Sequence, residues 1–168
     1  MTDRHHPTSG HQRAGHLGTG AALAAGALAV TGLAVAPAAA VTPRTATLTA
    51  DCRTHGSGPG TLTATQSGTT ATMTLKSTAI TAPIGLAADS ITSRLTLVRP
   101  DGTTVTFSGT RNPAMAAGGP VTVGPLTGTV ALGDRLEGYG GSLRMTAFGI
   151  TVTCTATAPQ APGPFVFD

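Results

Sequence analysis

The chain contains only two cysteines, and their placement constrains the fold more than any other feature. Cys52 ends Ala46 to Cys52 (ATLTADC) and Cys154 lies in Ile150 to Thr157 (ITVTCTAT), two stretches that alternate Thr with small or apolar residues. Thiols that ligate a metal come in close pairs, and about a hundred residues between these two fit no such spacing. A disulfide is expected instead, riveting the first regular segment to the last. In the entropic picture a loop that long restricts the unfolded chain by about 4–5 kcal/mol, a large share of a small domain's stability. Such bonds persist outside the reducing cytosol, so the pairing also points to an exported chain.

The N-terminus agrees with export. Met1 to Gly20 is polar, with Arg4 and Arg13 against Asp3. Ala21 to Ala36 is apolar, and Ala38-Ala39-Ala40 supplies the small-x-small pattern of a cleavage site. Residues 1–40 are therefore expected to be a secretory signal peptide cut between Ala40 and Val41, leaving a secreted, extracellular chain. The apolar stretch is built of Ala and Gly, which drive membrane insertion weakly, so no membrane span is expected in the processed form. His5, His6, His11 and His16 leave with it. The remainder, 168 residues less 40, is 128 residues and one domain. It is read as a β-domain over residues 41–158 followed by a Pro-rich tail over residues 159–168.

Charge is sparse in this remainder: eight Arg or Lys against six acids give a formal net of +2. The basic residues are scattered and have no aromatic interleaving, so no nucleic-acid partner is expected. The chain has no Trp, one Tyr and four Phe. Its core must be filled by Ala, Val, Leu, Ile, Met and the methyls of Thr, which a cross-link would help to hold together.

Almost every segment has a period of two. Leu62 and Ala64 alternate with threonines, as do Ala71, Met73 and Leu75 after the Ser67-Gly68 turn, and Ile91, Ser93, Leu95 and Leu97 further on. Pro100-Asp101-Gly102 predicts a hairpin turn into Val105 and Phe107. Gly124-Pro125 breaks the next run into two short strands, and Gly133 to Ser142 is read as a turn region. At Phe148-Gly149 the parity shifts, which marks a bulge or a tight reversal. Eight or nine short strands with turn signals between them predict an all-β, two-sheet antiparallel sandwich, immunoglobulin-like in the loose sense, with the disulfide joining its first and last strands.

Few residues suggest chemistry. Asp51, His55 and Ser57 imitate a hydrolytic triad, but neighbours in one Gly-Pro turn cannot adopt the relay geometry. Asp134 and Glu137 flank Arg135 and are a candidate acid–base or calcium pair, although this spacing usually marks a solvated loop. Gly138 to Ser142 (GYGGS) resembles a phosphate cradle only in its glycine count. Tyr139 is an interaction candidate as the lone polar-tipped aromatic. Phe165 and Phe167 alternate in the tail, where they would either add as a strand to a partner's sheet or fold back over the domain's own edge. Threonine ladders raise the idea of an ice-binding face, but the turns are too uneven for a regular array. No catalytic residue, cofactor or metal is expected.

An Ala-rich export signal, a Thr/Gly-rich β-domain and the Ala50-Asp51-Cys52 and Thr153-Cys154-Thr155 placements resemble the small secreted immunoglobulin-like sandwich proteins of actinomycetes. The resemblance implies an exported sandwich and carries over no functional residue. The expected function is a non-catalytic extracellular or envelope module with an unidentified protein or envelope partner. One alternative is a carrier holding a lipid-like ligand between the sheets. Another is a hydrolase of cell-wall polymer, which would need Asp134, Glu137 or His55 to converge in a cleft.

Overall fold

The computed structural model describes residues 41–168, so the expected signal peptide and Ala40 lie outside the described residues. Ten strands follow in chain order: β1 (Val41–Thr42), β2 (Thr45–Asp51), β3 (Ser57–Ser67), β4 (Thr70–Thr81), β5 (Thr92–Val98), β6 (Thr104–Gly109), β7 (Pro120–Thr129), β8 (Arg135–Ala147), β9 (Ile150–Ala156) and β10 (Phe165–Phe167). One short 3-10 turn, Arg53–His55, lies between β2 and β3. Among the described residues no helix is long and apolar enough to cross a membrane.

The sandwich expectation is overturned. The strands run in the order β8-β5-β6-β7-β4-β3-β2-β9, and β9 pairs with β8 as well as with β2. Both flanks of β9 are thus used, and the sheet closes into an eight-stranded antiparallel barrel. Period-two alternation buries one face of each strand in either architecture, so it does not distinguish them. β5, β6 and β7 are consecutive neighbours and β8 returns beside β5, which is a Greek-key arrangement.

The disulfide is present between Cys52 and Cys154. Its position explains the closure. The β2–β9 ladder comprises Ala50 with Ala156 and Asp51 with Thr155, and the cysteines are the next residues along it. The bond therefore joins two adjacent strands where they part. The interior above it is packed with Leu62, Met73, Leu97, Phe107, Val123 and Leu126, all fully buried.

Two glycine-rich stretches turn out to be strand. Gly124-Pro125 does not end a strand: β7 continues through it, with a bulge opposite Met73 and Leu75 of β4. Gly133 to Ser142 is not one long turn either. β8 starts at Arg135 and passes through Gly138, Gly140 and Gly141, shifting register against β9 between Tyr139 and Ser142. A Cβ at Gly141 would collide with the carbonyl oxygen of Thr96. Bends of this kind let strands wrap a small barrel.

The two ends of the barrel differ. At one end Phe165 and Phe167 of β10 are fully buried with Val41 and Leu136, and β10 pairs with both β1 and β8. The expected tail is therefore packed against the domain. Ala161 exchanges backbone hydrogen bonds with Thr47, and the Gln66 amide holds the Asp168 backbone. Beside β10, Arg99 makes a two-pronged bond to Asp134, at 2.7 and 3.0 Å.

A candidate ligand site at the barrel mouth

At the other end β2 stops at Asp51, while β9 begins at Ile150 and runs five residues before it pairs with β2 at Thr155. Along that stretch β9 is paired on its β8 side only. A cavity of about 270 Å³ opens there. Ile80 and Ala82 at the end of β4, Val121 of β7, and Met145 and Val152 of the β8–β9 hairpin supply most of its walls. Among the described residues, His55 is the only titratable side chain lining it.

Two connections frame the mouth, and both are held firmly. The Asn112 side chain is buried and its Oδ1 accepts the backbone N–H groups of Ser90 and Ile91, each at 2.9 Å. Its Nδ2 donates to the carbonyls of Ala87 and Pro113. Leu86 and Met115 exchange both backbone hydrogen bonds, and Ala82 is bonded to Gly118 and Gly119. The segment 111–119 is thus stitched to the β4–β5 connection. The apolar walls contributed by Ala82 and Leu86 are held in place before any ligand arrives.

The lip is unusually apolar. Five large hydrophobic side chains are exposed among the described residues, and Ile84 (48%), Phe148 (72%) and Ile150 (60%) all border this cavity. Phe148 is also held at φ +49 and Gly149 at φ +77 in the two-residue β8–β9 hairpin. That turn favours Asn-Gly, and a bulky residue at positive φ is an outlier. Neither hydration nor turn geometry favours Phe at this position.

His55 is presented by a closed turn. The Cys52 N–H donates to the Gly56 carbonyl at 2.9 Å, and the His55 N–H to the Cys52 carbonyl at 3.2 Å. Asp51 Oδ1 accepts the Arg53 N–H at 2.8 Å, fixing Arg53 at φ +58. Asp51 thus holds the turn, and Ser57 is exposed at the start of β3. No triad-like contact joins Asp51, His55 and Ser57 in the described hydrogen bonds.

The remaining candidates lie elsewhere. Asp134 is at the far end; its Oδ2 also accepts the Ala131 N–H at 2.8 Å, and Arg99 holds its carboxyl below the usual carboxylate range despite desolvation. Glu137 Oε1 accepts the N–H groups of Gly138, Tyr139 and Gln160. The structure does not bring Asp134, Glu137 and His55 together. No cluster of three or more His, Cys, Asp or Glu suited to a metal occurs among the described residues. Tyr139 is half exposed in a shallow hollow with Arg135 and Pro164, away from the mouth. Phe165 and Phe167, fully buried, offer no free surface.

The sequence reading named His55 only in the imitation triad and among the hydrolase candidates, and gave Ile80, Val121, Phe148 and Ile150 no role in a site. The available signal was Phe148-Gly149, a bulky apolar residue where a tight reversal favours a polar one. Compared with family models, curated proteins and solved structures, the chain matches none of them.

Proposed function

We propose that this chain is an exported, non-catalytic binding protein that carries a small hydrophobic ligand in the mouth of its barrel. The observation that carries the reading is Phe148, which is strained, mostly exposed and set on the lip of an apolar cavity. Such a residue costs stability in the free protein, and contact with a ligand would offset that cost. The disulfide supports the export part of the reading. The carrier idea no longer rests on a space between two sheets, since the barrel interior is filled and the cavity lies at one end.

The test is displacement of an environment-sensitive apolar dye from the purified protein by straight-chain hydrocarbons and their derivatives. Saturable one-site uptake is expected, abolished by Val121→Trp, which fills the cavity. If the dye stays in water, or if Val121→Trp binds it as well as the original protein does, the mouth is not the site. Thermal unfolding of the variant shows whether the barrel itself survives the substitution.

A further inference from the structure

We infer that the ligand is a single-chain amphiphile of medium length whose carboxylate head lies at His55 and whose tail fills the mouth. This rests on the carrier reading above and adds the ligand's chemical class and orientation.

Apart from His55 in the Arg53–His55 turn and Thr81 at the end of β4, the side chains lining the cavity are apolar. The exposed imidazole is the titratable partner they offer a ligand's polar group, and a polar atom set against the apolar side chains would lose its hydration without replacement. The group is therefore terminal. His55 is exposed, so its imidazole meets the cavity and solvent at once, the position a head group would take. Arg53 stands two residues away in the same turn and is exposed, while Asp51 is bonded to a backbone N–H and Asp89 of the β4–β5 connection to Arg111. The head-group end of the mouth thus favours an anion, and a carboxylate accepts from an imidazole N–H with a charge-assisted bond.

The size follows from the volume. At roughly 30 Å³ per water-sized group, a cavity of about 270 Å³ accommodates about nine of them, the length of a decanoate tail. The turn is tied by the disulfide to β9, since Cys52 accepts the hydrogen bond that closes the turn on His55 and is itself bonded to Cys154 of the strand whose start, at Ile150 and Val152, lines the cavity. Head-group recognition and tail-binding walls are thereby held at a set distance.

Calorimetric titrations with decanoate, 1-decanol and hexadecanoate, on the protein and on His55→Gln, test the assignment. Decanoate is expected to bind about tenfold more tightly than decanol, the usual scale of one charge-assisted hydrogen bond. His55→Gln, an exposed position whose change leaves thermal unfolding unaltered, should bring decanoate down to the level of decanol while decanol itself is unchanged. Hexadecanoate should gain little over decanoate, its extra carbons remaining outside. Equal binding of decanoate and decanol, or an unchanged decanoate affinity in His55→Gln, overturns the head-group assignment and leaves the carrier reading standing. Binding of neither decanoate nor decanol overturns both.

Discussion

At the scale of single residues the chain separates those that hold the barrel from those that the barrel tolerates. Phe148 belongs to the second kind. Replacing it with Asn, which accepts positive φ in a two-residue hairpin, is expected to raise stability by about 0.5–1 kcal/mol, read as an upward shift of the urea midpoint. The same change should weaken uptake of an apolar ligand, a trade of function for stability. A loss of stability in Phe148→Asn would mean that Phe148 packs for structural reasons. Asp134 belongs to the first kind. It is only 9% exposed, and its carboxyl is held below the usual range chiefly by the hydrogen bonds from Arg99. A native pKa below the unfolded one means that the ionised form stabilises the fold. That contribution is complete above the unfolded value of about 4 and disappears as pH falls through the lower native value. Asp134→Asn should therefore cost about 1–2 kcal/mol at pH 7. The difference from the unsubstituted protein should shrink steadily below pH 4 in urea titrations. Asp101, also held low by Thr103, titrates in the same range in both proteins and cancels from the comparison.

At the scale of elements, the strands were legible and their continuity was not. Alternating Thr and apolar residues located the hairpin around Pro100-Asp101-Gly102 and the reversal at Phe148-Gly149, because turn chemistry and side-chain period there agree. Gly124-Pro125 and Gly133 to Ser142 read as interruptions because glycine usually is one. In a narrow barrel glycine instead permits a strand to bend and approach its neighbour. At Gly124, φ is +114 and an added Cβ would lie 2.6 Å from the Met73 carbonyl oxygen. Gly124→Ala should consequently destabilise the protein by about 3 kcal/mol, strain and overpacking together. Gly133 provides the control, for its φ of +79 is also positive but nothing lies within 4 Å of its added Cβ. Gly133→Ala should cost about 1 kcal/mol, the conformational part alone. Similar losses at the two positions would show that the close approach at the β7 bulge contributes nothing. The site was harder to read still. Its walls come from the ends of β4, β7, β8 and β9, which only the closed topology brings together, and Asn112 sits in a stretch with no period.

At the scale of the whole molecule, the cysteines were read correctly as a pair, while the architecture that pairing implies was not. A bond between the first and last long strands is compatible with two sheets facing each other, and equally with one sheet meeting itself. The register decides, and no sequence period encodes it. In the structure the sheet meets itself at a seam of two ladder pairs, extended by the Thr157 N–H bond to the Thr49 carbonyl. So short a seam closes the wall beside the mouth with few hydrogen bonds, and the covalent bond lies where it ends. Replacing both cysteines with Ser is expected to lower stability by about 2–4 kcal/mol, less than the full loop-entropy value because the remaining hydrogen bonds still close the barrel. The loss should be local as well as global. Amide hydrogen exchange should accelerate first at Ala50, Thr155 and Thr157, and in the Arg53–His55 turn, while β3 and β4, paired along most of their length, keep their protection. Carboxylate recognition at His55 should fall with the seam even where the rest of the barrel is intact, because the turn loses its covalent tie to β9. Uniform acceleration across all strands would mean that the bond acts only on the unfolded chain. Unchanged decanoate affinity in the double variant would mean that the turn is positioned without it.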